Sequence, residues 1–147
     1  MKPTELRIGN LVLYEGKVVK VEQITKKKIG FHRYEGETRM NYARLQEVEP
    51  ILITKELLQM NGFCEIQKET YGELCGLVWN EYRKEIEGVI IDIDIKHKQP
   101  HEYIKVHIFN KTLNTIKKRE LYVHDLQNAY NLVTKQELTL HLCNEKS

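Results

Sequence analysis

Long apolar runs, paired cysteine motifs and an excess of either charge are all missing from this 147-residue chain. No segment approaches the ~20 consecutive apolar residues that cross a bilayer. The start, Met1-Lys2-Pro3-Thr4-Glu5-Leu6-Arg7, lacks the apolar run of a signal peptide. A soluble protein of the cytoplasm, with no membrane partner, is therefore expected. Three cysteines (Cys64, Cys75, Cys143) leave one unpaired in any internal disulfide scheme, and their spacings of 11 and 68 fit no zinc pattern. They read as reduced thiols of a cytosolic protein. Lys plus Arg outnumber Asp plus Glu by 23 to 21, too even a balance to require nucleic acid on its own.

Chemistry-bearing motifs are equally sparse. The chain has no P-loop and no GxGxxG, so nucleotide hydrolysis and dinucleotide binding have no foothold. Its six histidines (His32, His97, His101, His107, His124, His141) form neither HxH nor HExxH. Asp92 and Asp94 stand at i and i+2, which on a strand projects both carboxylates from one face. Such a pair can hold a cation or act as acid and base, but no third acid stands at a telling spacing. No cofactor, no metal site and no catalytic residue is expected, and the protein reads as a non-enzyme.

What is present is a string of short strands. Asn10 to Tyr14 meets the turn signal Glu15-Gly16 and then Lys17 to Ile24, with Val19 and Val21 on one face. Lys26 to Arg33 and Thr38 to Tyr42 follow, then one helical turn at Ala43-Arg44-Leu45-Gln46 and a short strand at Glu47 to Pro50. That order predicts an SH3-like small β-barrel over residues 1–50. Thr54 to Phe63 reads as a short linking helix, with Thr54 as N-cap and Gly62 as the left-handed stop. Strands are predicted at Phe63 to Glu69, Cys75 to Tyr82, Gly88 to Lys96 and Glu102 to Asn110. The last two are expected to pair with Ile91 facing Val106 and Asp92 facing Lys105.

A helix closes the chain at Val123 to Val133, its apolar stripe being Val123, Leu126, Tyr130 and Val133. After it, Thr134-Lys135-Gln136-Glu137 has capping-box form and opens either another helical turn or a last strand at Leu138 to Leu142. The fold class is thus α+β: the barrel, the linking helix, then an antiparallel sheet with the C-terminal helix packed on it. The division is residues 1–50 and residues 51–147.

Three groups of residues are candidates for binding. His124, Gln127, Asn128 and Asn131 form an amide-rich second stripe on the final helix, suited to a nucleobase edge, a ribose or a partner's backbone; buried amides that fix helix packing would look the same. Tyr103 with Lys105 offers a ring to stack on a base beside a cation for a phosphate. Lys26, Lys27 and Lys28 with Arg33 form a basic cluster on the first subdomain, and Lys117-Lys118-Arg119 forms another. The plain reading of each cluster is a solvated turn.

Three segments together resemble a family of small phage and mobile-element proteins of gut Bacteroidota. They are Glu5-Leu6-Arg7-Ile8-Gly9-Asn10-Leu11-Val12, then Pro50-Ile51-Leu52-Ile53-Thr54-Lys55-Glu56-Leu57-Leu58 with Asn61-Gly62-Phe63, and Val123-His124-Asp125-Leu126-Gln127-Asn128-Ala129-Tyr130 followed by Thr134 to Leu138. The chain departs from the pattern at Asp125, where Gln is common, and at Asn131, where an aromatic is usual. The resemblance implies an accessory gene expressed in a bacterial host, and no catalytic residues. In that setting the expected function is a binding protein that sequesters a nucleotide-derived immune signal of the host. The alternatives are a nucleic-acid-binding module and an adaptor that inhibits a host enzyme. A homo-oligomer is the expected assembly.

Overall fold

A computed structural model of the chain describes residues 1–69, 78–98, 101–109, 111–116 and 120–142. Tyr71, Cys75, Cys143, the Lys117-Lys118-Arg119 cluster and the tail from Asn144 lie outside the described residues. The architecture is mixed α+β with antiparallel sheets and a C-terminal helix. The chain divides into two compact units, Met1–Leu52 with Tyr122–Ser147, and Ile53–Leu121.

In the first unit, β1 (Leu11–Tyr14) and β2 (Lys17–Lys20) form a hairpin. Its turn has Glu15 at φ +51° and Gly16 at φ +72°, the type I′ geometry whose twist matches the strands. Next come β3 (Gln23–Ile24), β4 (Lys28–Phe31), β5 (Asn41–Arg44), a 3₁₀ turn (Leu45–Glu47) and β6 (Val48–Glu49). The strands form two three-stranded sheets, ordered β2-β1-β6 and β3-β4-β5, and do not close into the single barrel expected for residues 1–50. The chain turns the corner at Val21-Glu22. Val21 N–H donates to Asn10 O at 2.8 Å in the first sheet, whereas Glu22 N–H donates to Gly30 O at 2.9 Å in the second. Alternate residues of both sheets meet in one core of Leu6, Val12, Val19, Val21, Ile29, Phe31, Ala43, Leu45 and Val48. Burial of these side chains is what holds the two sheets together.

Helix α2 (Val123–Thr134) belongs to this same unit. Its Val123 N–H donates to Ile51 O at 2.8 Å, and Leu52 bridges Tyr122. The expected division at residue 50 put the helix with the antiparallel sheet; its hydrogen bonds tie it to residues 1–52 instead. The helix stops at Lys135, which adopts φ +59°. Neither a further helical turn nor a strand follows at residues 135–142, because Glu137 turns to Arg7 rather than back to Thr134.

In the second unit, Thr54 Oγ1 caps α1 (Lys55–Met60) by accepting from Leu57 N–H at 3.1 Å. Gly62 at φ +80° ends it, and Phe63 returns to donate its N–H to Leu58 O at 3.0 Å. The remaining strands are β7 (Cys64–Glu69), β8 (Val78–Ile86), β9 (Val89–Lys98), β10 (His101–Ile108) and β11 (Lys111–Ile116), in the meander order β11-β10-β9-β8-β7. The last was not foreseen: Phe109 supplies a turn at φ +53° where no glycine marks one.

The β9–β10 register differs from the expected one by two residues. Ile91 faces Ile108, Ile93 faces Val106 and Ile95 faces Ile104. Pairing runs on to Lys98 and His101, so two residues separate the strands instead of the five between Lys96 and Glu102 in the expected ones. A slip of two preserves the face of every side chain, which is why the apolar set survives it. On the opposite face the slip places Asp92 against His107 and Asp94 against Lys105.

Candidate nucleic-acid interface

The amide stripe of α2 is turned toward its own chain. Gln127 is buried, and its Oε1 accepts from Leu11 N–H at 2.9 Å and Asn10 Nδ2 at 3.5 Å, while its Nε2 donates to Leu138 O at 3.5 Å. Asn128 Oδ1 accepts from Asn10 Nδ2 at 2.9 Å, and Asn128 Nδ2 donates to Glu5 O at 3.0 Å. Asn131 Nδ2 donates to Gln136 O at 3.1 Å. Asn10, fully buried, completes the set by accepting from Arg7 N–H at 2.6 Å. Arg7 in turn grips Glu137 through its two terminal nitrogens, Nη1 to Oε1 at 2.5 Å and Nη2 to Oε2 at 2.9 Å. This fork holds the Glu137 carboxyl below its usual range and raises Arg7. Of the two readings open to these amides, the hydrogen bonds go to helix packing. They also give a physical reason for the pattern Glu5 to Val12 and Val123 to Leu138: the two segments are halves of one latch.

His124 is buried beside them. Its ring stacks on Tyr122 with centroids 5.7 Å apart, and its Nε2 lies 3.4 Å from Asp125 Oδ1. Burial pushes the imidazole below its ordinary pKa, against the opposing pull of Asp125 and Glu5. Among the described residues its Nδ1 has no hydrogen-bond partner.

The outward face of the second sheet has a different character. Register places Gln23, Gly30 and Tyr42 in one row and Lys28 opposite Arg44 in the next. Lys26 and Lys27 occupy the β3–β4 turn, which Thr25 ties down: its N–H donates to Lys28 O at 2.9 Å, and its hydroxyl accepts from Lys28 N–H at 3.1 Å. Leu45 N–H fastens the turn from the other side by donating to Lys27 O at 2.9 Å. All three lysines are exposed, and among the described residues neither Lys26 nor Lys27 makes an ion pair. The nearby carboxylates are engaged: Glu22 pairs with His32, and Glu47 lies 3.4 Å from Arg44 Nε.

Arg33, grouped by sequence with the lysines, is placed apart from them. It follows the far end of β4, whose span from Lys28 to Phe31 alone is roughly 10 Å at ~3.3 Å per residue. There its N–H donates to Glu37 at 2.6 Å, which with Asn41 holds the Glu37 carboxyl low. Arg44 takes its place, across from Lys28. The sequence reading missed Arg44 because it began the helical turn two residues too early, at Ala43 instead of Leu45. Tyr42 stood out no more than the other tyrosines in or beside strands, because only a register shows which row the ring shares. Tyr42 is 49% exposed, Lys28 Nζ stands 4.7 Å from its ring centroid, and its hydroxyl donates to Gln23 Oε1 at 3.2 Å. From Gln23 to Gln46 the chain carries six Lys and Arg against two Glu, which concentrates positive charge that the +2 of the whole chain conceals.

On the second unit, Asp92 and Asp94 enter an ionic lattice across the sheet. Asp92 is held by Arg83, Nε to Oδ1 at 2.6 Å and Nη2 to Oδ2 at 3.1 Å, and Arg83 also reaches Glu81 Oε1 at 3.0 Å. The Asp92 fork raises Arg83 further above its ordinary pKa. Asp94 Oδ2 lies 3.3 Å from His107 Nε2. Lys105 stands opposite Asp94, and Tyr103 opposite Lys96. Arginine and histidine thus occupy the carboxylates that sequence offered as acid, base or metal ligands. Among the described residues no three His, Cys, Asp or Glu side chains gather as a metal site. Nor, among them, is any helix long and apolar enough to cross a membrane. No family model, curated protein or solved structure matches the chain.

Proposed function

We propose that this chain is a non-catalytic binding protein of phage or mobile-element type whose first unit engages nucleic acid. The observation that carries the reading is the β3–β4 turn: Lys26 and Lys27 stand on a turn pinned by Thr25 and Leu45, beside Lys28 and Arg44 placed directly opposite each other. Arg44 shares its charge with Glu47, and phosphates that meet the exposed lysines release counterions, which is the main source of affinity in such interfaces. The order β1 to β5, a 3₁₀ turn and β6, with β6 returning to β1, is similar to the SH3-like order without a closed barrel, and a cytoplasmic location forms part of the proposal. Sequestration of a nucleotide signal by α2 draws less support, since Gln127 and Asn128 already bond within the chain.

The test is binding of a labelled oligonucleotide, followed by anisotropy from low to physiological salt. Affinity should fall steeply with salt, and Lys26→Ala/Lys27→Ala should reduce the log–log slope by about two. Absence of binding at low salt, or an unchanged slope in the double variant, would sink the reading.

A further inference from the structure

The geometry points to Tyr42 as a stacking platform for an unpaired base, which makes single-stranded nucleic acid the ligand of this face; the inference rests on the nucleic-acid reading above. The ring is held in place before any ligand arrives. Its hydroxyl is fastened to Gln23 Oε1 at 3.2 Å, across the row that Gly30 shares with both residues. Gly30 leaves room for this arrangement. A Cβ there would come within 3.1 Å of Gln23 Cβ and 3.2 Å of Met40 Cγ and Sδ, so the side chains of Gln23 and Met40 occupy that space. A tyrosine anchored at its tip and half exposed along its faces loses little entropy when a base settles on it.

Lys28 supplies the second half of the site. Its ammonium, 4.7 Å from the ring centroid, occupies the ring in the free protein. A cation–π contact at an exposed position is weaker than stacking of a base on the same ring. A base therefore displaces the ammonium, which swings on its flexible stem to the flanking phosphate. Arg44 across the ladder and Lys26 and Lys27 at the turn continue the cationic track along the same edge. A duplex offers these cations its phosphates but keeps its base faces stacked and out of reach of the ring. A single strand satisfies both, which decides between them.

The experiment uses the full chain with a single-stranded 12-mer carrying 2-aminopurine and with the matching duplex. The expected result is tighter binding of the single strand, with 2-aminopurine quenched on binding. Tyr42→Ala should weaken single-strand affinity roughly tenfold and abolish the quenching, whereas Tyr42→Phe, which keeps the ring but loses its tether to Gln23, should keep the quenching with a smaller loss of affinity. Tyr42→Leu, which preserves apolar bulk without an aromatic face, should behave as Tyr42→Ala. Equal affinity for duplex and single strand, or unchanged affinity in Tyr42→Ala while Lys26→Ala/Lys27→Ala still weakens binding, would overturn the stacking site and leave the interface standing. No binding of either oligonucleotide at low salt would overturn both.

Discussion

Replacing Asn10 with alanine should unfasten the latch between the N-terminal segment and α2, and the size of the effect follows from its partners. The side chain is fully buried and makes two good hydrogen bonds, from Arg7 N–H at 2.6 Å and to Asn128 Oδ1 at 2.9 Å. Each contributes ~1 kcal/mol net, and each partner left buried without a replacement costs ~1–3 kcal/mol. Arg7 and Asn128 are only partly buried, so water recovers some of that loss; the expected total is ~3 kcal/mol. Urea unfolding followed by far-ultraviolet circular dichroism reads this directly. With a slope of ~1–3 kcal/mol per molar for small proteins, the midpoint should fall by roughly 1–3 M. Asn128→Ala also loses the bond to Glu5 O, so single variants alone do not isolate the pair. The double-mutant cycle does, and a coupling of ~1–2 kcal/mol is expected. Additivity within ~0.5 kcal/mol would refute the latch.

Three further outcomes follow from other parts of the molecule. His124 is held below its ordinary pKa by burial, so the unfolded chain binds the proton more tightly. Stability present above pH ~6.5 is therefore lost as pH falls below that value, and His124→Phe, which keeps the stack on Tyr122, should flatten that slope in urea midpoints measured from pH 7 to 5. Glu87→Asn converts the β8–β9 turn, with φ +48° and +80° at Glu87-Gly88, to the preferred Asn-Gly and should stabilise the chain by ~0.5–1 kcal/mol, read as a higher Tm. Asp92→Asn breaks the charged fork to Arg83 and should lower the urea midpoint while leaving oligonucleotide affinity unchanged. A loss of affinity in that variant would place the binding surface on the second unit.

Local signals in the sequence were read correctly wherever one short segment carries its own physics. Glu15-Gly16 announces a hairpin, Thr54 and Gly62 bound a helix, and Val19 and Val21 declare a core face by alternation. What escaped depended on partners far along the chain. A slip of two residues in β9–β10 leaves the apolar alternation intact, so the pattern alone does not choose between registers. The role of Gln127 and Asn128 is set by Asn10, 117 and 118 residues away, and an amide facing a protein partner reads the same as one facing a ligand. Lys26, Lys27 and Lys28 were visible as a run. Arg44 and Tyr42 join them only once β4 and β5 are paired, and Arg33 leaves for the same reason.

The most direct test of binding by the β3–β4–β5 face is a titration of the ¹⁵N-labelled chain with a single-stranded oligonucleotide, followed by amide shifts in two-dimensional NMR. Binding there predicts saturable shifts concentrated in residues 25–31 and 41–45, with the amides of Gln127, Asn128 and Asn131 unmoved. Shifts centred on residues 123–131, or no shifts at all at low salt, would contradict it.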